Sequence, residues 1–316
     1  MRRALVVVLA AVAAVPAAAD AKPKGQTLQA EAPFWMASVQ VRQQIDAAGA
    51  RGLSIEEIEA LVRLGLAGEA NKDEPVADPC PTLEPGTKPG SVHANACITY
   101  PGGCTANFLY HRGTEFDFVA DGRRDFIGTA GHCVDHSGQP VYMDNGSGMV
   151  VRVGEVAKHV DGGIGNDMAL IRIDEGLPLD PRMPSVGGPR GIYAGCVGGQ
   201  ALSWWGHGYG VAVGQGNVGT GVDARWWDKP FGWKGDSLPG DSGSGVVLTE
   251  NLQAAGDLTH LVVHPDRYGT SFNAGTRMTH ILQWAGGDMK LVGEDGELYT
   301  APRNTGCGNP NSGNGS

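Results

Sequence analysis

From about Ser91 onward the chain alternates short apolar runs with Gly, Asn and Asp. Val150-Val151-Arg152-Val153, Met168 to Ile173, Gly245 to Leu248 and Leu261-Val262-Val263 are runs of strand length, bounded by turn residues, and they predict β-strands. Asp180 to Gly191 holds three Pro and three Gly, which predicts a linker between two β units. Residues 34 to 67 read differently. From Ser54 the spacing is helical: Ser54 and Glu57 form a capping-box pair, Ile58, Leu61 and Val62 share one face, and Gly65 and Gly68 end the run. Asn71 to Pro89 is rich in Pro, Asp, Glu and Lys, a linker composition. The Gly, Asn and Ser tail is expected to be flexible beyond Cys307.

Composition supports the β reading. Of 316 residues only 18% are charged, while 50 are Gly and 19 are Pro, which suits short strands and many turns. A net charge of -10 argues against nucleic acid, whose phosphate backbone needs a basic face. The N-terminus adds an address. Met1-Arg2-Arg3, the apolar run Ala4 to Val15, and then Pro16-Ala17-Ala18-Ala19 have the layout of a secretory signal peptide cut after Ala19. The apolar run is too short to span a bilayer, so a secreted protein with no stable membrane association is expected, acting as a monomer. Export makes the six cysteines (80, 97, 104, 133, 196 and 307) candidates for three disulfides. Residues 20–90 are expected to be a pro-segment and linker, and 301–316 a tail.

Three stretches carry candidate chemistry: Phe126 to Cys133 with its TAGHC, Gly165 to Ile171 with its NDMALI, and Asp236 to Ser244 with its GDSGS. Each alone is an ordinary turn or loop composition. Together they supply a base, a carboxylate to orient it and a hydroxyl nucleophile, in the order His, Asp, Ser. In these signatures the chain resembles the chymotrypsin and trypsin family of serine proteases, closest in character to its bacterial secreted members. The weaker Trp204-Trp205-Gly206 and Ala274 to Arg277 stretches extend the similarity toward residue 285. The resemblance implies an all-β fold of two six-stranded antiparallel barrels, about 91–178 and 190–285, within a domain of 91–300. A C-terminal helix would follow them, and a helical pro-segment would come first. It implies polypeptide substrates, no cofactor and no metal. His132 would be the general base, Asp167 its orienting carboxylate and Ser242 the nucleophile, with the amides of Gly240 and Ser242 as oxyanion hole. It also implies a Cys104–Cys133 disulfide beside the histidine. The other four cysteines can pair in three ways. In animal relatives the carboxylate at Asp241 pairs with a new N-terminus made by cleavage. No Ile-Val-Gly-Gly-type start precedes Ser91, so an internal partner is expected.

For specificity the resemblance places Asp236 at the base of the primary pocket with Ser237, and Thr259, Leu261 and Gly275 along its walls. A carboxylate there favours Arg or Lys. Two departures weaken that pattern: Leu238 replaces a usual cysteine, and Leu261 replaces a glycine that keeps the pocket open. His260 with Ser237 is similar instead to relatives that cleave after Glu. A silent, protein-binding relative is a further alternative. An α/β-hydrolase needs Gly-x-Ser-x-Gly, whereas Ser244 stands two after Ser242. The His260 and His264 pair lacks the adjacent glutamate of a zinc protease.

Overall fold

A computed structural model describes residues 30–33, 85–100, 103–144, 150–207, 215–221, 229–235, 237, 240–263 and 272–302. The expected signal peptide, the helix expected from Ser54, Asp236, Cys80, His264 and Cys307 lie outside the described residues. Among those described the chain is mostly β, in two large sheets. One has nine strands. It contains β3 (Cys97–Tyr100), β4 (Cys104–Thr105), β5 (Leu109–Arg112), β6 (Asp125–Thr129), β7 (Pro140–Asp144), β8 (Val150–Asp161), β9 (Asp167–Ile173), β18 (Met289–Val292) and β19 (Leu298–Tyr299). Their order is β19-β18-β5-β6-β9-β8-β7-β3-β4. The other sheet has eight strands. It contains β1 (Ala30–Pro33), β11 (Ala201–Gly206), β12 (Gln215–Gly221), β13 (Pro230–Lys234), β14 (Gly245–Leu248), β15 (Ala254–Asp257), β16 (His260–Val263) and β17 (Phe272–Thr276). It runs β1-β16-β17-β13-β12-β11-β14-β15, and a bridge between Gly256 and Arg277 brings it close to closing into a barrel. β2 (Val92–His93) and β10 (Leu179–Asp180) form a small parallel pair.

The two-sheet plan is the one expected, but the strand numbers are not six and six. β18 and β19 come from beyond residue 285 and return to the first sheet, where Met289 pairs with Arg112 of β5. β1 comes from the presumed pro-segment and pairs with β16 in the second. The physical reason is common to both. A sheet edge exposes a row of unpaired N–H and C=O groups, and a neighbouring extended segment satisfies them.

Burial explains the strands. β9 is buried at every position except Arg172, so it reads as an unbroken apolar run rather than an alternation. Among the described residues the three larger apolar clusters lie in and between the sheets. Ile98, Leu109, Ile127, Val141 and Ile171 pack inside the nine-stranded sheet, and Trp204, Phe231, Trp233 and Val246 inside the eight-stranded one. The third lies at the seam, where Phe108, Tyr110, Met168 and Leu170 meet Val247, Ala254 and the helix. That helix, α1 (Met278–Ala285), buries Met278, Ile281, Leu282 and Ala285, the i, i+3, i+4, i+7 stripe that a one-sided helix presents.

Gly275 has a packing role. A Cβ on it would stand 1.6 Å from the backbone oxygen of Asp257, so β17 passes β15 only because no side chain intervenes. Gly275→Ala is expected to lower stability by about 3 kcal/mol, read as a reduced urea midpoint. An unchanged midpoint would show that the strands have slack there.

Candidate active site

The histidine is positioned by its neighbours in sequence. Gly131 and Cys133 flank it in a single 3-10 turn at the end of β6. A Cβ at Gly131 would fall 1.9 Å from the Val160 oxygen and 2.9 Å from Asp167 Oδ1, so only glycine lets this turn reach the carboxylate. Cys133 is tied to Cys104 of β4, as the resemblance implied, with the Cα atoms 6.2 Å apart. Closing that loop of about 30 residues stabilises the turn by roughly 3 to 4 kcal/mol. Cys97 and Cys196 are also in disulfides, and their partners are outside the described residues.

Asp167 opens β9 after a tight connection in which Gly162 N–H donates to Asn166 O at 2.8 Å and Asn166 N–H to Gly163 O at 2.8 Å. Its side chain is fully buried. Oδ2 lies 2.6 Å from His132 Nδ1, and Oδ1 accepts the His132 backbone N–H at 3.0 Å. The carboxylate therefore holds both ring and backbone of the histidine. That bond puts the proton on Nδ1 and leaves Nε2 as the basic nitrogen. Two more carboxyls stand near, and both are biased toward the neutral form. Burial, then the Asp167 charge, raises Asp161 above the ordinary carboxylate range. Burial pushes Asp257 well up, against the backbone N–H of Thr276 that it accepts at 2.8 Å.

Ser242 comes from the second sheet, on the turn before β14. It is buried, and its Oγ has no hydrogen-bond partner among the described residues; nor has His132 Nε2. The loop is docked on the first sheet. Thr105 N–H donates to Ser242 O at 2.8 Å, and Thr105 Oγ1 donates to Gly240 O at 2.8 Å. Cys133 Sγ lies 3.8 Å from Ser242 O, so the residue after the histidine touches the Ser242 peptide. Gly240 and Gly243 have φ of +102° and +92°, values that glycine adopts without penalty. Asp241 is buried against Gly206, where a Cβ would approach Asp241 Oδ1 to 2.1 Å.

Of the residues expected to form the specificity pocket, Ser237 Oγ donates to Asn273 Oδ1 at 2.5 Å, and Asn273 Nδ2 donates to Gly235 O at 3.1 Å, which ties this segment to β17. Thr259 is buried, and its N–H donates to Ala274 O at 3.0 Å. Leu261 sits on β16 opposite Asn273, and Gly275 on β17 opposite Phe231. Thr105 and Asn95 were not singled out by sequence reasoning, because nothing in a lone Thr or Asn announces a partner over a hundred residues away. Cys104, Cys133 and His132 cluster, but both sulfurs are oxidised to a disulfide and offer no thiolate to a metal.

No family model matches the chain, and no curated protein matches it significantly. Solved structures do. A protease A from Thermobifida fusca is 18% identical, with 66% of this chain and 99% of that one covered and a TM-score of 0.43. A chymotrypsin from Cellulomonas bogoriensis is 20% identical, covering 64% and 98%, with a TM-score of 0.41. An inactivated protease paralogue from the scabies mite is 17% identical, covering 60% and 90%, with a TM-score of 0.42. The structures it resembles are proteases, active and inactive. At that distance the likeness assigns no family, and the chemistry rests on the site itself.

His260 sits beside the dyad. Its Nδ1 is 3.7 Å from Asp167 Oδ2 and 2.8 Å from Thr259 Oγ1, and its ring meets His132 edge-on at 6.0 Å. Burial pushes this imidazole down to about 4, outweighing the attraction of Asp167. It is thus neutral at pH 7 and forms no ion pair. Between about pH 6.5 and pH 4 the unfolded chain takes up a proton that the folded one refuses, so stability falls as pH falls. The loss over that window is on the order of 3 kcal/mol. His260→Phe is expected to remove most of this difference, measured as urea stability at pH 7 and pH 4. Equal acid sensitivity in both proteins would contradict it.

Proposed function

We propose that this chain is a secreted serine endopeptidase that hydrolyses peptide bonds through an acyl-enzyme intermediate. The observation that carries the proposal is the buried Asp167–His132 contact at 2.6 Å, with an unpartnered His132 Nε2 and an unpartnered Ser242 Oγ on loops that touch. A buried polar atom without a partner is expensive, and here two of complementary character face chemistry rather than structure. In the reaction Ser242 Oγ attacks the carbonyl carbon while Nε2 takes its proton. Asp167 stabilises the resulting imidazolium, and the Gly240 and Ser242 amides receive the developing negative charge. His132 then protonates the leaving amine. Water repeats the sequence on the ester and frees Ser242.

Residues 1–19 are read as the signal and 20–90 as pro-segment and linker. Among the described residues no helix is long and apolar enough to cross a membrane. Side-chain preference is a finer matter. Asp236 is the sequence feature that argues for Arg or Lys.

A fluorophosphonate probe is expected to label Ser242 in the protein and to miss Ser242→Ala, with labelled-peptide mass spectrometry as the readout. An unlabelled Ser242 in folded protein would make the chain a silent, binding relative. Asp167→Asn is expected to lower kcat about ten-thousand-fold with an unchanged fold, because the amide stabilises the wrong tautomer of His132. Retention of more than a hundredth of kcat would remove Asp167 from the machinery.

A further inference from the structure

The Asp167 carboxylate has a second imidazole beside it. His132 Nδ1 lies 2.6 Å from Asp167 Oδ2, and His260 Nδ1 stands 3.7 Å from that same oxygen. His260 is buried, and its ring meets the His132 ring edge-on with the centroids 6.0 Å apart. The second sheet sets its position. His260 opens β16 opposite Ala274 of β17, and the preceding Thr259 N–H donates to Ala274 O at 3.0 Å. Two residues further along β17, the Thr276 hydroxyl donates to the Asp167 backbone O at 3.2 Å. The two strands thus reach Asp167 together, one at its backbone and the other at its carboxylate.

The proton on His260 is placed by its neighbour. Thr259 Oγ1 donates its single proton to Ala274 O at 3.3 Å, so toward the ring this oxygen can only accept. His260 Nδ1, 2.8 Å from that oxygen, is therefore the protonated nitrogen. The end of the ring that carries the N–H is the end turned toward Asp167 Oδ2. At 3.7 Å the contact is longer than a hydrogen bond, but the Asp167 side chain is wholly buried, so bulk water does not screen it. Burial holds this imidazole at about 4, so it meets the carboxylate as a dipole and not as a cation where an ordinary histidine titrates. The other titratable groups around the pair are His159 and Asp161 of β8 and Asp257 of β15, which is joined to Asp167 through Thr276. Both carboxyls are biased toward the neutral form, first by burial.

We infer that His260 is a positioning residue of the site: its Nδ1–H shares Asp167 Oδ2 with the His132 ring and keeps the site competent at more acid pH than Asp167 and His132 alone would. This rests on the serine endopeptidase reading above and adds how its pH range is set. In that reading the Asp167–His132 pair is anionic until His132 takes a proton, and carries no net charge afterwards. A donor on the carboxylate stabilises the anionic pair more than the neutralised one. His260 thereby favours the form in which Nε2 can accept the Ser242 proton. Ser237, paired with His260 in the Glu-directed alternative, gives its hydroxyl proton to Asn273, whereas His260 faces Asp167.

The test follows the rate of fluorophosphonate labelling of Ser242 against pH in the full chain, as wild type, His260→Phe, His260→Leu and His260→Asn. Phe and Leu remove the donor, with Leu serving if Phe is too large to fold, while Asn returns an N–H near the place of Nδ1. The acid limb of the labelling rate is expected to move up by about half a pH unit in Phe and Leu, and to return toward wild type in Asn. Urea midpoints confirm that the compared variants are folded. A lower plateau with an unmoved limb would show a packing role alone and overturn the inference. So would an Asn limb displaced as far as that of the apolar variants. In both of those cases a labelled wild type leaves the peptidase reading standing. Wild type that takes no probe at any pH overturns the peptidase reading beneath it.

Discussion

The arrangement depends on docking the Ser242 loop of one sheet against a two-residue strand of the other. Thr105 grips the loop twice, through its N–H to Ser242 O and through its hydroxyl to Gly240 O, and its own hydroxyl accepts the His207 N–H at 3.0 Å. Thr129 Oγ1 donates to Thr105 O at 2.9 Å, which locks the grip to the strand that ends in the histidine turn. The contact is close enough to dictate sequence. A Cβ on Gly243 would lie 2.0 Å from Thr105 O, so any other residue there would push the loop off the strand. Buried hydrogen bonds of this kind contribute little net stability each, yet breaking one strands a desolvated group, so the set holds as a unit.

Other ties cross the same seam and serve the same end. Asn95 donates to Trp205 O at 2.6 Å and to Gly245 O at 3.1 Å, and accepts Gly245 N–H at 3.0 Å, which fixes the start of β14 just beyond the nucleophile. Thr276 Oγ1 donates to the Asp167 backbone O at 3.2 Å, so the second sheet also steadies the start of β9 in the first. The seam cluster of Phe108, Met168, Val247 and α1 keeps water from these bonds. The grouping of His132, Asp167 and Ser242 is thus a property of the interface between two sheets, neither of which holds all three.

The carboxyl-rich surroundings fit one electrostatic logic. Asp167 is buried and meets His132 twice, at the ring and at the backbone N–H. Asp161 and Asp257 are pushed toward neutrality by burial and by Asp167 itself, and His260 is held uncharged by burial. The carboxyls nearest Asp167 are shifted upward, which lessens their competition with it.

Much of this was legible along the chain. Short apolar runs mark β8, β9, β14 and β16 because a buried strand needs nothing more than a few β-compatible side chains. His132, Asp167 and Ser242 stand out because each sits in a local signature whose glycines the turn requires. Strand counts were not legible: β1, β18 and β19 have no distinctive pattern, and they join sheets only because open edges await them. The roles of Thr105, Asn95 and His260 were equally hidden, since a hydroxyl, an amide or an imidazole gains its meaning from a partner that the backbone brings near. Local composition determines what a segment can form and which chemistry it can offer. Which groups meet, and which lose their charge on meeting, was decided by long-range packing and the burial that comes with it.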